Sequence, residues 1–449
     1  MRVSKGVFAD DPSPLTAGPA SRVGAVGLVQ LTLLALAPVQ AQDEIHLAPP
    51  RQDEAPQTIR LPYAFFNDSF GAALGYVYSV VGAPQPQSAL LASAMGGTNG
   101  SVMGFFMARD LRVFGVERLF MDGVFSGGYF VDNAAYIDGN PVFPAERAGS
   151  NDSDPDDFVE GDGADVYARV KFKYLLPIGH GRDHVVPRYR FDRGLLVDGS
   201  TGGGAWNPLE SGRTYVELRP FYRSLSVDSD VVDEDLKTNG LDLSLFWDNR
   251  DYPANPSRGN SVRARLSRDF GSMDSSTSWT VYEAEIDQYF SFGGSDWFRE
   301  RVLALDVWTS YSPTWEEEAG GSISNGPPAY AGATLGGLFR MRGFPSQRFS
   351  DKAALLYSAE LRLTPKWNPF TDWDYLQEKL DVQWLQFAAF TEVGRVSPSW
   401  DLETLHEDMQ VDGGIGLRLL AKGLVLRLDF AASDEGSRVQ MMVGNPFQF

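Results

Sequence analysis

From Thr58 to Phe449 the chain repeats one pattern, in which apolar and polar residues alternate over segments of about ten residues or more, separated by turn-forming residues. In the stretch 241–248, Leu241, Leu243, Leu245 and Trp247 form one face, while Asp242, Ser244 and Asp248 lie on the other. Val262, Ala264 and Leu266 alternate with Arg263, Arg265 and Ser267, and Tyr282, Ala284 and Ile286 with Glu283, Glu285 and Asp287. Leu355, Tyr357, Ala359, Leu361 and Leu363 alternate with Ser358, Glu360 and Arg362; Leu424, Leu426, Leu428 and Phe430 alternate with Arg427 and Asp429. A soluble antiparallel sandwich also alternates, but its strands are mostly about five or six residues long. A strand of about ten crosses a bilayer at a tilt. Charges of both signs recur on the polar face, as suits a wet lumen in which acids and arginines pair.

Sixteen candidate strands follow: 58–66, 71–82, 87–96, 100–109, 116–131, 163–177, 213–227, 238–250, 259–271, 278–291, 300–311, 353–364, 381–394, 410–420, 423–432 and 437–449. The fold class is therefore all-β, a transmembrane antiparallel β-barrel over 58–449. With both termini on the periplasmic side, the connections 132–162, 228–237 and 312–352 face outward. The short turns Pro253–Pro256 and Ala421–Gly423 face inward, and 178–212 is long for that side.

The amino-terminal stretch Val23–Ala37 is apolar, follows Arg2, Lys5 and Arg22, and precedes Val39-Gln40-Ala41, a small-residue site for signal peptidase. It reads as a signal peptide over 1–41, being shorter than the roughly 20 residues of a spanning helix. Residues 42–57 form a polar, Pro-rich lead-in. An excess of 59 acidic over 39 basic residues excludes the phosphate-neutralising balance of a nucleic-acid binder. The absence of Cys removes thiol and disulfide chemistry.

Four elements of the second half carry a resemblance. Phe246–Gly259 (FWDNRDYPANPSRG) joins a strand end to a turn and a Gly-initiated strand and contains Asp248, Arg250, Asp251 and Gly259. Arg342-Gly343-Phe344 lies in the long loop 312–352, and Phe387–Val396 contains Phe390 and Glu392. The last strand ends in Phe447 and Phe449. In this order, with five strand segments after the loop, they resemble the BamA/TamA family of outer-membrane barrels, the bacterial surface antigen domain. Met341 stands where that family usually has Val or Ile, and Glu392 where it usually has Asp.

The resemblance implies a bacterial outer-membrane barrel whose loop 312–352 folds into the lumen, where Arg342 pairs with Glu392 beside Phe390 and Phe344. A carboxylate offers two acceptors to the guanidinium fork, and Gly343 is expected to allow a tight turn. Phe447 and Phe449 resemble the terminal signal by which barrels are handed to assembly machinery. About fifteen residues between cleavage site and barrel leave no room for a POTRA module, so an assembly role does not simply carry over.

No Gly-x-Ser-x-Gly elbow is present, and the chain is read as a non-enzyme without cofactor or metal. His180 and His184 read as polar loop residues, and Asn151–Asp157, lacking a turn Gly and a closing Glu, as a solvated acidic loop. Expected partners are outer-membrane lipids including lipopolysaccharide, and client proteins. Function is expected in insertion or translocation of protein or lipid, with a passive pore or structural barrel as the alternative.

Overall fold

The computed structural model describes residues 56–67, 69–136, 147–230, 233–317, 323–370, 381–421 and 424–443. Residues 1–41, expected from the sequence to be a signal peptide, and nearly all of the expected lead-in 42–57 lie outside these residues, as do Phe447 and Phe449. Sixteen strands form one antiparallel sheet in chain order. They are Gln57–Asn67 (β1), Gly71–Val81 (β2), Ala89–Gly97 (β3), Val102–Arg112 (β4), Leu119–Ala135 (β5), Val159–Leu175 (β6), Arg213–Asp228 (β7) and Asp233–Asp248 (β8). There follow Gly259–Phe270 (β9), Ser278–Ser291 (β10), Phe298–Tyr311 (β11), Ala353–Pro365 (β12), Val382–Ser397 (β13), Gln410–Ala421 (β14), Leu424–Ser433 (β15) and Gly436–Val443 (β16). The hydrogen-bonded order is linear, and among the described residues no ladder joins β1 to β16.

Strands β6 and β8 begin at Val159 and Asp233, before the alternation that predicts them. Asp233–Lys237 pairs with Ser224–Asp228, where neither face is apolar enough to mark the period. A ladder that continues past the lipid loses its sequence signature because both of its sides meet water.

The burial pattern is inverted relative to a soluble protein. Large apolar side chains such as Leu74, Phe106, Leu243, Leu245, Ile286, Tyr357, Phe387 and Ile415 are exposed, whereas Asp242, Asp287, Glu360, Arg362, Glu392, Arg418 and Asp429 are buried. Because Cβ directions alternate along a strand, one face supplies the apolar band and the other a charged interior. The molecule is a transmembrane-type antiparallel β-barrel. Among the described residues no helix is long and apolar enough to cross a membrane.

Two inserted segments occupy the interior, one at each end. The first, 312–352, connects β11 to β12. The hairpin Ala333–Leu335 with Phe349–Asp351 holds the tight loop 336–348 between its arms. Leu335, Met341, Phe344 and Phe349 pack with Trp308, Ala354, Leu356 and Val396 of the wall in one apolar cluster. Further out, Arg348 donates to Glu435 (2.8 Å) and to Ser153 (2.8 Å), and Asn151 donates to the Asp408 carbonyl (3.1 Å). Asn151, Ser153 and Asp157 are buried while Asp152, Asp154 and Asp156 are exposed, so this stretch keeps the solvated acidic face its composition suggests and turns its other side onto the inserted loop as a cap.

The second segment, 176–212, crosses the opposite end. Arg118 holds the carbonyls of Gly181 (2.6 Å) and Arg182 (2.9 Å), while Arg299 holds that of Asp192 (2.7 Å). Trp384 donates to the Gly194 carbonyl (3.0 Å), and Leu195 packs with Trp384, Leu420 and Val425. Gly194 has φ +75, and a Cβ there would lie 2.6 Å from Leu420 Cδ2 and 2.7 Å from Gln383 Cβ, so only Gly fits this approach. The long inward connection is therefore a folded plug.

Candidate functional site

Four strands build the site, β12 to β15. Their inward positions bring Glu360 and Arg362, Phe390 and Glu392, Asp412 and Arg418, and Arg427 and Asp429 into one chamber. The register sets two carboxylates directly opposite one another, Glu392 of β13 facing Asp412 of β14. Facing like charges destabilise a ladder unless something offsets them.

Loop 336–348 supplies the offset. The Arg342 backbone N–H donates to Glu392 Oε2 (2.7 Å), and the next N–H, of Gly343, donates to Asp412 Oδ2 (2.6 Å). The Arg342 side chain reaches further. Its Nε donates to Glu392 (3.2 Å), and its Nη1 donates to Glu360 (3.0 Å) and Asp429 (2.9 Å). The guanidinium carbon sits 3.4 Å from the centroid of the Phe390 ring, a cation–π arrangement. Burial disfavours its charge, but Glu392, Asp429 and Glu360 outweigh burial and hold it above its ordinary range.

Around this core, Glu360 accepts from Arg362 (2.7 Å) and from both terminal nitrogens of Arg418 (2.5 and 2.6 Å). Arg427 pairs with Asp429 (3.0 Å) and donates to the Leu338 carbonyl of the loop. Four arginines thus meet four carboxylates, so the chamber is balanced in charge while Arg342, Glu360, Glu392 and Asp429 are fully enclosed. Charges removed from water need such pairing, because a lone one is costly. Gln440 of β16 donates to the Arg342 carbonyl (2.7 Å), which ties the loop to the last strand of the sheet.

The residues singled out from the sequence fall as follows. Arg342, Glu392 and Phe390 are brought together. Phe344 lies in the apolar cluster with Trp308 and Leu356, stacked edge-on to Phe349 (5.0 Å), and is not Phe390's partner. Gly343 is required for close approach and not for a turn, since a Cβ there would lie 2.7 Å from Asp412 Cβ and 3.0 Å from the Ala432 backbone. Within Met341–Phe344 the residue in the left-handed region is Met341, at φ +58.

In the strand-turn motif, Arg250 binds Asp248 through two nitrogens (2.8 and 3.1 Å), and Asp251 accepts from the Tyr252 and Ser257 N–H groups (both 2.9 Å). Gly259 has φ +95, and a Cβ would collide with the Asn249 carbonyl. This turn is a dock for the plug, because Asn249 accepts from Ser211 (2.6 Å) and Tyr252 receives the rings of Tyr189 and Phe191. His180 Nδ1 accepts from the Gly202 (2.9 Å) and Gly212 (3.2 Å) N–H groups, a structural role, and burial and His184 lower its pKa.

Sequence reasoning missed Glu360, Arg362, Asp412, Arg418, Arg427 and Asp429 as members of one site. The available signal was their inward parity on strands beside the loop motif. Their convergence needed the register.

Residues 206–447 match the Omp85 superfamily domain. A comparison with curated proteins finds no match. Among solved structures the chain is similar to BamA from Haemophilus ducreyi lacking POTRA domains 1-3, with 12% identity, TM-score 0.47, and coverage of 87% of this chain and 70% of that one. It is similar to CdiB from Acinetobacter baumannii (11%, 0.48, 86% and 59%) and to CdiB from Escherichia coli (11%, 0.52, 89% and 66%). Such identities speak to the fold alone, and the chain spans less than two thirds of either CdiB chain.

Proposed function

The chain belongs to the Omp85 superfamily of outer-membrane β-barrels, and from that premise we propose that it takes part in inserting or translocating protein or lipid at the bacterial outer membrane. The observation that carries this reading is the attachment of one loop, through one guanidinium and two consecutive N–H groups, to strands β12 to β15. Through Gln440 the same loop reaches β16, where the linear order of the sheet ends. Displacing the loop would remove the cation and N–H cap of Glu392 and one of the cations shared by Glu360 and Asp429 at once, so loop position and the conformation of the last strands form a coupled, two-position device.

The activity needs no covalent step. The apolar outer face would contact membrane lipid, lipopolysaccharide included, and the cargo would be a client protein or lipid. Obstruction of the interior at both ends, by 312–352 and by 176–212, supports a gated role over an open passive pore.

The test compares wild type with Arg342→Ala at matched amounts of folded barrel, reading conductance and insertion of a test barrel in the same liposomes. Faster insertion with wild type, lost in the variant, supports the proposal. No acceleration by wild type, with only greater ion leakage in the variant, would mean that the loop is a plug and the barrel a pore.

A further inference from the structure

A second pair of carboxylates faces across the lumen wall. Asp287 of β10 lies directly opposite Asp306 of β11, and Glu285 lies two residues before Asp287 on the same face. One oxygen from each of the three comes within 4.8 Å of the others. That is the widest separation of two oxygens sharing one ion at a metal–oxygen length of ~2.4 Å. All three residues are buried, Asp287 completely.

Here, unlike at Glu392 and Asp412, no loop N–H caps either facing carboxylate among the described residues. Asp306 is 4% exposed; it faces the carboxylates of Glu285 and Asp287, Arg340 of the loop is the cation that acts on it, and among the described residues its Oδ1 has no hydrogen-bond partner. Asp287 Oδ1 is also an orphan, although its Oδ2 is oriented by Ser261 Oγ (3.1 Å) and Tyr289 Oη (3.4 Å). Glu285 has Arg340 of the loop at 3.6 Å and Arg263 across the ladder.

The surrounding arginines are shared: Arg250 and Arg362 act on Asp287 and Arg340 on Asp306, and each also serves another group. Arg250 is bound to Asp248, Arg263 pairs with Glu217 (3.2 Å), Arg340 lies over the Trp308 ring (4.0 Å) and Arg362 is bound to Glu360. Glu285 also lines an interior cavity of about 180 Å³, which provides a way in.

The geometry points to a single hard divalent cation, Ca²⁺ or Mg²⁺, held by Glu285, Asp287 and Asp306 and completed by water. The donors are all carboxylate oxygens, without His or Cys, which matches hard cations and not zinc or copper. The ion adds positive charge between three buried carboxylates, and it joins β10 to β11 beside the inserted loop, because Arg340 shares Glu285 with it.

The test titrates Tb³⁺, a calcium probe excited through tryptophan, into barrel refolded without lipopolysaccharide, with Ca²⁺ and Mg²⁺ as competitors. Trp308, the cross-strand neighbour of Glu285, serves as the donor. One saturable site is expected, displaced by Ca²⁺ or Mg²⁺, at least tenfold weaker in Asp306→Asn and Glu285→Gln, and unchanged in Glu117→Gln on a distant exposed turn. Absence of saturable emission in wild type, no displacement by either ion, or equal affinity in both cluster variants overturns the assignment. The wild-type titration decides even if a variant does not fold.

Discussion

Two pairs of acids face each other inside this barrel and meet different fates. Glu392 and Asp412 are capped by successive N–H groups of the inserted loop and by the Arg342 guanidinium. Asp287 and Asp306 sit at an equivalent juxtaposition three strands earlier in the sheet, where the loop offers only Arg340, which pairs with Glu285. The register creates the same electrostatic problem twice. A segment of the chain solves it once, making the loop indispensable to the wall, and leaves the second pair to a counter-ion from solution.

The largest expected effect is at the capped pair. Arg342→Ala leaves the enclosed Glu392 without its cation and takes one cation from Glu360 and Asp429, which keep Arg362, Arg418 and Arg427, and breaking a buried charge network from one side costs roughly 3–5 kcal/mol. Denaturant unfolding in detergent should register the loss, and limited proteolysis within 312–352 should show the loop released. Arg342→Lys should be intermediate, since an ammonium cannot spread its donors over three carboxylates as a planar fork does. Unchanged protease resistance in Arg342→Ala would mean that the apolar cluster around Met341 and Phe344 holds the loop unaided.

A double-mutant cycle sharpens the claim that the loop offsets a repulsion. Glu392→Gln and Asp412→Asn each remove a carboxylate along with an acceptor for a loop N–H, and together they also remove the facing charges. The coupling energy should be about 1–2 kcal/mol in favour of the double variant, within the range for contacting residues. Additive losses would show that the repulsion was already screened.

Next comes close approach. Gly343→Ala places a methyl against Asp412 and the Ala432 backbone, for a loss of about 1–3 kcal/mol by overpacking. Met341→Gly at the left-handed position should be tolerated better by the backbone, yet lose apolar packing.

The smallest effect belongs to the second pair, and its sign is opposite. With chelator present, Asp306→Asn should stabilise the barrel by up to about 1 kcal/mol, because it relieves directly opposed charges. With Ca²⁺ at about a hundred times its dissociation constant, wild type should gain about 2.7 kcal/mol that the variant lacks. Chelator-insensitive unfolding of wild type would erase the contrast between the pairs.

Much of this was legible before the structure. The barrel strands and their parity were readable because lipid on one side and a lumen on the other force a period of two over long segments. Arg342 and Glu392 stood out through the motif around them. Glu360, Arg418 and Asp429 did not, since an inward charge on one strand looks like an inward charge on any other. At Asn151–Asp157 composition reported the solvated acids Asp152, Asp154 and Asp156, but not the contacts of Asn151 and Ser153 with other loops.

The sequence by itself determined a long-stranded barrel, the face each residue presents, and the loop that carries the arginine. The tertiary structure decided which charges meet. Alternation is a local property, enforced residue by residue by the solvent on each side, whereas pairing depends on register between strands and on where a long insertion comes to rest. Coulomb energy between buried groups varies steeply with those few ångströms, so the neutral chamber around Arg342 and the incomplete one around Asp306 appear only once the strands are aligned.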